Sequence, residues 1–539
     1  MNEEIEEYYE ELYRLYIDEN QPLERRYRQL RESLERVVRE KIQGNSLQTT
    51  DLAARINYVA TQYELDIKEQ NQLHTFRLTS NDILNHRKFP AKEEFLRDLR
   101  AVAFAYRKMF AQDIPLKLFS VLPKQEITSL GKKEKKEYIR RIRVCFDYAD
   151  DTYLYVHPVD IIADEPIRVV YNKPGINHEF EETIKELWRY AQLNLLDVFV
   201  DREGIYTPSF IVLEPDYLID ISSLAECYKD YGSHPANYFL SRLVPIDNAR
   251  PLLLGNIANL FLDEWIHAGE EEPDYIDCMK KAFRQYPIEL AACAELRDPS
   301  KEKEFAKDCR MHFEHIRDIV QHTFLEPGYN LDKKDAVLEP SYICEALGIQ
   351  GRLDYMQRDM SSFIEMKSGK ADEFSIQGKV EPKENNKVQM LLYMAVLEYS
   401  MGQDRRRMHP YLLYTRYPLL YPARASWAQV RRVINLRNRI VAAEYGVQFH
   451  NHSDFTRNLL AQINPEVMNE RKLRGKFWEQ YLKPSISRFR EKLSALEPLE
   501  QAYFYTLYNF ITKELYTSKS GDVDYEGRAG ASALWLSTL

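Results

Sequence analysis

Apolar positions in the first hundred residues recur at helical spacing. Leu23, Tyr27, Leu30, Leu34 and Val37 lie amid many Glu and Arg, and Leu52, Ile56 and Val59 continue the pattern. The spacing predicts a helical hairpin within a packed accessory region over 1–130. From Tyr138 the texture changes to short runs rich in β-branched and aromatic residues: Ile142 to Tyr148, Thr152 to Val156, Ile167 to Tyr171 and Ser209 to Leu213. These runs, parted by Asp, Pro and Gly, predict a small β-barrel over 138–216 with a helical insertion around Glu179 to Leu196. Past Asp216 the pattern is mainly helical until a hairpin holding Asp354 and Glu365. An amphipathic run from Val388 to Leu397 follows, then a strand at Tyr411 to Tyr414, a basic helix from Trp427 to Val441, and further helices to about Leu515. Gly521 to Leu539 carries no closing element.

The densest chemistry falls in one window. Glu365 and Lys367 are two apart in a strand-forming run, so the pleat puts both on one face and turns Ile364 and Met366 to the other. Asp354 ends the preceding apolar run, and the polar turn Gln357-Arg358-Asp359 suits an antiparallel hairpin that brings its carboxylate beside Glu365. Two carboxylates are a minimal seat for a hard divalent cation. Gln389 and Tyr393 stand i,i+4 on one helix face, where they could lie over such a site and contact a phosphate. Metal, water and substrate contacts in this order suit metal-dependent phosphodiester cleavage. A Glu-x-Lys pair by itself is most often a solvated strand edge; it is the set of motifs that carries the reading. His312, His315 and His322 lie on a charged helix at mixed spacing and read as surface residues rather than a metal site.

Composition narrows the classes. With 539 residues and a 44% hydrophobic share, the chain has room for several domains with substantial cores. No run is long and apolar enough to span a bilayer, and the acidic start Met1 to Glu11 lacks a signal peptide's basic flank, so a cytoplasmic, nucleoid-associated protein without a membrane partner is expected. Six scattered cysteines, with no Cys-x-x-Cys pair, read as reduced and buried small hydrophobes. A net charge of −10 argues against a general nucleic-acid coat protein and confines any phosphate contact to a groove. Candidate basic stretches are Lys132 to Arg143, Arg405-Arg406-Arg407, Arg431 to Arg439 and Arg471 to Lys476. Tyr148, Tyr153, Tyr155 and Tyr171 are available on the barrel to stack single-stranded bases, although with 37 tyrosines in the chain an aromatic on a strand is a weak signal.

Taken together, Gly351-Arg352-Leu353-Asp354, Glu365-Met366-Lys367 and Gln389 to Tyr393 resemble the nuclease signature of the RecB branch of the PD-(D/E)XK superfamily. The order of segments resembles the nuclease half of the eukaryotic-type replication and repair helicase-nuclease that trims flaps and resects DNA ends. Ile211 to Ile219 resembles the segment leaving that family's OB-type barrel, Cys227 falls where its first cluster cysteine sits, and Leu254-Gly255-Asn256-Ile257 resembles its first nuclease helix. The resemblance spans roughly Tyr138 to Thr517. It implies an α+β chain: a helical amino-terminal region, an OB-like barrel, a restriction-endonuclease-like α/β nuclease core over 217–445, and a helical carboxy-terminal part over 446–539. It further implies a Mg²⁺- or Mn²⁺-dependent deoxyribonuclease acting on single-stranded or flapped DNA. Asp354 and Glu365 would ligate the cation with the Met366 carbonyl, Asn259 and Glu339 would complete or support that shell, Lys367 would orient water or stabilise charge, and Gln389 and Tyr393 would position the strand.

Three departures accompany the resemblance. Asn259 stands where the family has a metal-binding His. No cysteine follows Cys344, so the family's iron-sulfur cluster is not expected. No Gly-x-x-x-x-Gly-Lys-Ser/Thr phosphate loop is present, so the chain is expected to be either a nuclease without a motor of its own, any helicase acting in trans, or one cut before its motor, as the ending Ala531 to Trp535 suggests. These departures motivate an alternative, a catalytically impaired DNA-binding scaffold. The intact Asp354, Glu365 and Lys367 speak against it, because binding alone needs no lysine beside two carboxylates.

Overall fold

A computed structural model describes residues 2–42, 52–123, 137–160, 163, 165–244, 250–269, 271–329, 331–374, 379–423, 426–449 and 453–520. The first part of the basic stretch Lys132 to Arg143, up to 136, and the whole of Gly521 to Leu539 lie outside the described residues. The described residues group into two compact units, one within Met1–Tyr217, Val441–Phe455 and Tyr505–Leu539, the other within Leu218–Ile440 and Thr456–Phe504.

The first unit opens with α1 (Asn2–Ile17), α2 (Leu23–Ile42), α3 (Leu52–Gln62), α4 (Ile67–Leu84), α5 (Lys92–Phe110) and the short α6 (Leu116–Phe119). Tyr27, Leu30, Leu34 and Val37 are buried along α2, where their spacing puts them on one face, and they share a core with residues of α1, α3, α4 and α5. Helix α3 is not the amphipathic segment its pattern suggests, since Leu52 through Ala60 are all buried. Helix α4 begins at a reciprocal cap in which Asp66 accepts from the Glu69 N–H and Glu69 accepts from the Asp66 N–H.

Six strands follow: β1 (Tyr138–Ala149), β2 (Tyr153–Pro158), β3 (Ile167–Val170), β4 (Gln192–Val200), β5 (Tyr206–Thr207) and β6 (Phe210–Leu213), with α7 (Glu181–Lys185) between β3 and β4. Pairing runs β1-β2-β3-β5-β4 and returns from β4 to β1, so five strands close on themselves, and β6 adds to β4. The helical insertion expected through Leu196 is shorter than its pattern suggested, because Gln192 to Leu196 opens β4. Those five residues are buried without interruption. A fully buried apolar run has no period that separates strand from helix.

The second unit contains β7 (Ile219–Asp220), α8 (Ile221–Ala225), α9 (Ala236–Leu243), α10 (Arg250–His267), α11 (Tyr275–Gln285), α12 (Pro287–Ala292) and α13 (Pro299–Gln321). Strands β8 (Ala336–Leu338), β9 (Ser341–Cys344), β10 (Ile349–Arg352), β11 (Tyr355–Gln357) and β12 (Ser362–Lys367) come next, then the pair β13 (Asp372–Phe374) and β14 (Lys379–Glu381). Helix α14 (Glu384–Met401) leads to β15 (His409–Tyr414) and β16 (Leu419–Pro422). The main sheet has the order β16-β15-β12-β11-β8, and a smaller one has β7-β10-β9. In the main sheet β12 is antiparallel to β11 and parallel to β15. A parallel pair needs a crossover, and the segment holding α14 supplies it. Ile364 and Met366 of β12 join Tyr411 and Leu413 of β15 in a core with residues of α10 and α13.

The chain continues through α15 (Trp427–Phe449), α16 (Ser453–Ala461), α17 (Pro465–Met468), α18 (Lys483–Ser494) and α19 (Pro498–Ser520). The carboxy-terminal part expected over 446–539 is divided between the units. Within the first unit Tyr445 stacks on Trp188 with ring centroids 5.0 Å apart, and Tyr516 stacks on Tyr217 at 5.8 Å. Aromatic burial, rather than chain order, sets this grouping.

Candidate active site

The β11–β12 hairpin fixes the first two acids. Tyr355 pairs with Ile364 in the antiparallel ladder, so Asp354 at the entry to β11 lies across from Glu365 and its neighbour. Asp354 Oδ2 accepts the Met366 N–H at 2.6 Å. Because the N–H and C=O of one strand residue point to the same side, the Met366 carbonyl also turns toward Asp354. The turn begins one residue later than the Gln357-Arg358-Asp359 reading and runs on to Ser361, since Gln357 is the last residue of β11 and is buried.

Glu365 and Lys367 share a face of β12 as their spacing requires. Lys367 Nζ donates to Glu365 Oε1 and to Gln389 Oε1, each at 2.8 Å, and Gln389 Nε2 donates to the same Glu365 oxygen at 2.7 Å. Glu365 Oε2 is buried with no hydrogen-bond partner. Glu365 is only 3% exposed. Burial, followed by repulsion from Asp354, pushes its carboxyl up to about 8 despite the nearby ammonium. Burial likewise raises Asp354, with the Met366 N–H and Lys367 opposing. For Lys367 burial works against the charged form, yet attraction to Glu365 and Asp354 outweighs it and its pKa is raised. The lysine therefore keeps its proton while the carboxyls resist losing theirs.

Gln389 and Tyr393 both sit on α14, but this helix is buried from Val388 to Leu397 and is not amphipathic. A helix enclosed on all sides needs no polar stripe. Gln389 is committed to Glu365 and Lys367, and the Tyr393 hydroxyl donates to the Arg352 carbonyl at 2.5 Å. A Cβ at Gly351 would come within 3.1 Å of that hydroxyl, so the glycine permits the approach of α14.

Glu339 occupies the corner between β8 and β9 at φ +50°, in the left-handed region that costs a non-glycine residue energy. Its N–H donates to the Asp354 carbonyl at 3.1 Å, and its carboxylate pairs with Arg352 at 3.0 Å. Asn259 is half-buried on α10, one turn beyond Gly255, and its side chain has no partner among the described residues. A Cβ on Gly255 would lie 3.4 Å from the hydroxyl of Ser368, the residue after Lys367, so this face of α10 packs at the end of β12. Two acids not singled out by sequence belong to the same surroundings. Asp263, one turn beyond Asn259, is pushed up to about 6 by burial and then by Glu339 and Asp354. Glu226 adds to the negative field around Lys367 and is held by Lys229 at 3.0 Å and Asn385 at 3.2 Å. The i,i+4 row Gly255, Asn259, Asp263 was the available signal for the first; Glu226 had none.

Other candidates fall elsewhere. His312 is buried in α13, His315 Nδ1 lies 3.0 Å from the Thr415 carbonyl, and only His322 is exposed, which corrects their reading as surface residues. Cys227 is buried, its thiol pushed up to about 12 by burial, and all six cysteines are buried and outside any disulfide. Among the basic stretches, Arg406 pairs with Asp404 and Arg471 with Glu384, while Arg437 is fully buried and donates to the Gly348 carbonyl at 3.1 Å. Among the described residues no helix is long and apolar enough to cross a membrane. In comparisons with known proteins, no family model matches this chain and no curated protein is similar to it.

Proposed function

We propose that the chain is a divalent-metal-dependent nuclease of the RecB-like PD-(D/E)XK type that cleaves single-stranded or flapped DNA. The observation that carries this reading is Glu365 Oε2, a carboxylate oxygen buried without a partner beside Asp354. Leaving such a group unpaired costs about 1–3 kcal/mol or more, a cost that a cation bound there would offset. The surrounding donors are oxygens of carboxylates and one carbonyl, the set that hard Mg²⁺ or Mn²⁺ prefers. Asp354, Glu365 and the Met366 carbonyl would hold the ion, with Glu339 and Asn259 as the supporting set drawn from the family pattern. When bound, the ion would polarise a phosphate oxygen and lower the pKa of a coordinated water.

The protein's own groups do the rest. Lys367 retains its protons, so it acts as a donor toward water or toward charge developing on the phosphate and not as a general base. Gln389 positions that ammonium and Glu365 together, and Tyr393 ties α14 to β10 through the Arg352 carbonyl. The five-strand ring, with its order β1-β2-β3-β5-β4 and a helix between β3 and β4, supports reading the first unit's sheet as an OB-like barrel. Tyr148 and Tyr155 stack at 4.3 Å on β1 and β2, and Tyr148 is 51% exposed. Such a platform suits a single-stranded base. The test is cleavage of labelled 5′-flap, 3′-flap, single-stranded and duplex DNA by the purified chain with Mg²⁺, Mn²⁺ or EDTA. Metal-dependent cutting of the single-stranded or flapped substrates is expected, and no cutting under any metal condition would overturn the reading.

A further inference from the structure

Resting on the DNA-cleaving reading above, the acids beyond the end of β10 raise a separate question: what admits a polyanion to them. Asp354, Glu365 and Glu339 offer a phosphodiester strand no positive charge, and the Lys367 ammonium is committed to Glu365 and Gln389 inside the site. An approaching strand needs a cation that faces water.

Arg352 is such a cation. It is the last residue of β10, two before Asp354, with fully buried Leu353 between them. Its side chain is 61% exposed, against 26% for Lys367. Its backbone is fixed, because the Tyr393 hydroxyl donates to the Arg352 carbonyl at 2.5 Å and Gly351 lets α14 come that close. A guanidinium on an anchored strand end is pre-set for a partner.

The partner it holds now is a carboxylate. Arg352 Nη1 lies 3.0 Å from Glu339 Oε2, and Glu339 is itself tied to the site, its N–H donating to the Asp354 carbonyl at 3.1 Å. Glu339 keeps this place at φ +50°, a conformation that costs a residue other than glycine energy and that collects at functional sites. Neither side chain is buried, so water and salt weaken the pair and little is lost when it opens. A phosphate presents the same two-oxygen edge that a guanidinium grips in a carboxylate. Binding a strand also releases counterions, a gain that Glu339 cannot supply, so the exchange favours the phosphate.

We propose that Arg352 grips a backbone phosphate of the DNA strand at the mouth of the site, and that Glu339 holds the guanidinium in place until the strand displaces it. Arg352 then binds substrate, and Glu339 competes with it. The two residues act with opposite sign, whereas a pair that served only the fold would respond alike to loss of either member.

The experiment is fluorescence anisotropy of labelled oligothymidylate with the full chain, repeated over a range of salt in EDTA, which prevents metal-dependent cleavage and removes any effect of a cation at Glu339. Arg352→Ala should weaken binding by at least roughly fivefold and reduce the slope of log affinity against log salt by about one. Glu339→Gln should tighten binding by about twofold or more, and that gain should vanish when Arg352→Ala is added. Unchanged affinity and salt slope in Arg352→Ala overturns the proposal. So does Glu339→Gln binding no tighter than the wild type, or a gain that survives in the double variant and is then plain removal of charge. Each of these results leaves the DNA-cleaving reading standing, whereas no binding by the wild type sinks both.

Discussion

Glu214 in the first unit and Glu365 in the second are both buried glutamates whose carboxyls are pushed up, to about 7 and about 8, by burial first. Their oxygens differ. Glu214 accepts the Gln192 N–H at 3.0 Å through one oxygen and the Tyr445 hydroxyl at 3.3 Å through the other. Glu365 crowds both of its donors, Lys367 and Gln389, onto Oε1 and leaves Oε2 bare. A raised pKa therefore does not distinguish a structural acid from a chemical one. What sets Glu365 apart is that its vacant buried oxygen lies in a cluster with Asp354, Lys367 and Gln389, whereas Glu214 has a donor on each oxygen.

The strongest way to break the contrast is Lys367→Ala. It should lower DNA cleavage by at least about a hundredfold at saturating Mn²⁺ while single-stranded binding persists, since it removes positive charge at the reacting phosphate. Retained cleavage would make Lys367 a mere partner of Glu365. Next, Glu214→Ala should destabilise the first unit, at about 1–3 kcal/mol for each of the two donors it strands, whereas Glu365→Gln should be neutral or stabilising in metal-free buffer at pH 8. Denaturant melts of both variants decide this, and equal losses would erase the distinction.

The pH dependence sharpens it further. A carboxyl with a folded pKa near 8 holds its proton after the unfolded chain has released one near the ordinary value of 4.5. Metal-free stability should thus be greatest at or below about pH 4.5 as far as Glu365 is concerned, fall as the pH rises toward 8, and level off above it. Melting temperatures of Glu365→Gln should show a shallower fall than the wild type, with the remainder due partly to Glu214. Parallel profiles would mean that Glu365 stays ionised in the folded state. In the barrel, Tyr148→Ala should weaken single-stranded DNA binding by about 1–3 kcal/mol through loss of the exposed stack, measured by fluorescence anisotropy at fixed salt. The smallest effect is expected from Arg352→Ala, whose side chain is 61% exposed; loss of its pair with Glu339 should cost under about 1 kcal/mol in a thermal melt.

What could be read from the sequence follows from which interactions are local. The spacing of Glu365 and Lys367 on a strand and of Gln389 and Tyr393 on a helix obeys backbone period, so their shared faces were legible. So was the juxtaposition of Asp354 with Glu365, since a short hairpin has few registers. The charges that Glu339 and Asp354 place around Asp263 come from residues distant in the chain, so no local pattern announced them. Strand β4 was read as helix because Leu193, Leu195 and Leu196 are buried on both faces. Helix α14 was read as amphipathic because polar Gln389 and the hydroxyl of Tyr393 are satisfied by protein instead of water. No local pattern announced that Tyr445 and Tyr516 would pack with Trp188 and Tyr217.

That last grouping has a consequence for how the molecule is made. Trp188 and Tyr217 emerge from the ribosome well before the rings that stack on them, Tyr445 and Tyr516. Contacts of such sequence separation form slowly, because closing the intervening loop costs entropy before any burial offsets it. During translation the barrel must wait, with apolar rings uncovered, while more than two hundred residues are added. Until Tyr445 and Tyr516 arrive, the faces of Trp188 and Tyr217 that they stack on stay open, and exposed apolar surface of that kind is where a nascent chain is prone to aggregate.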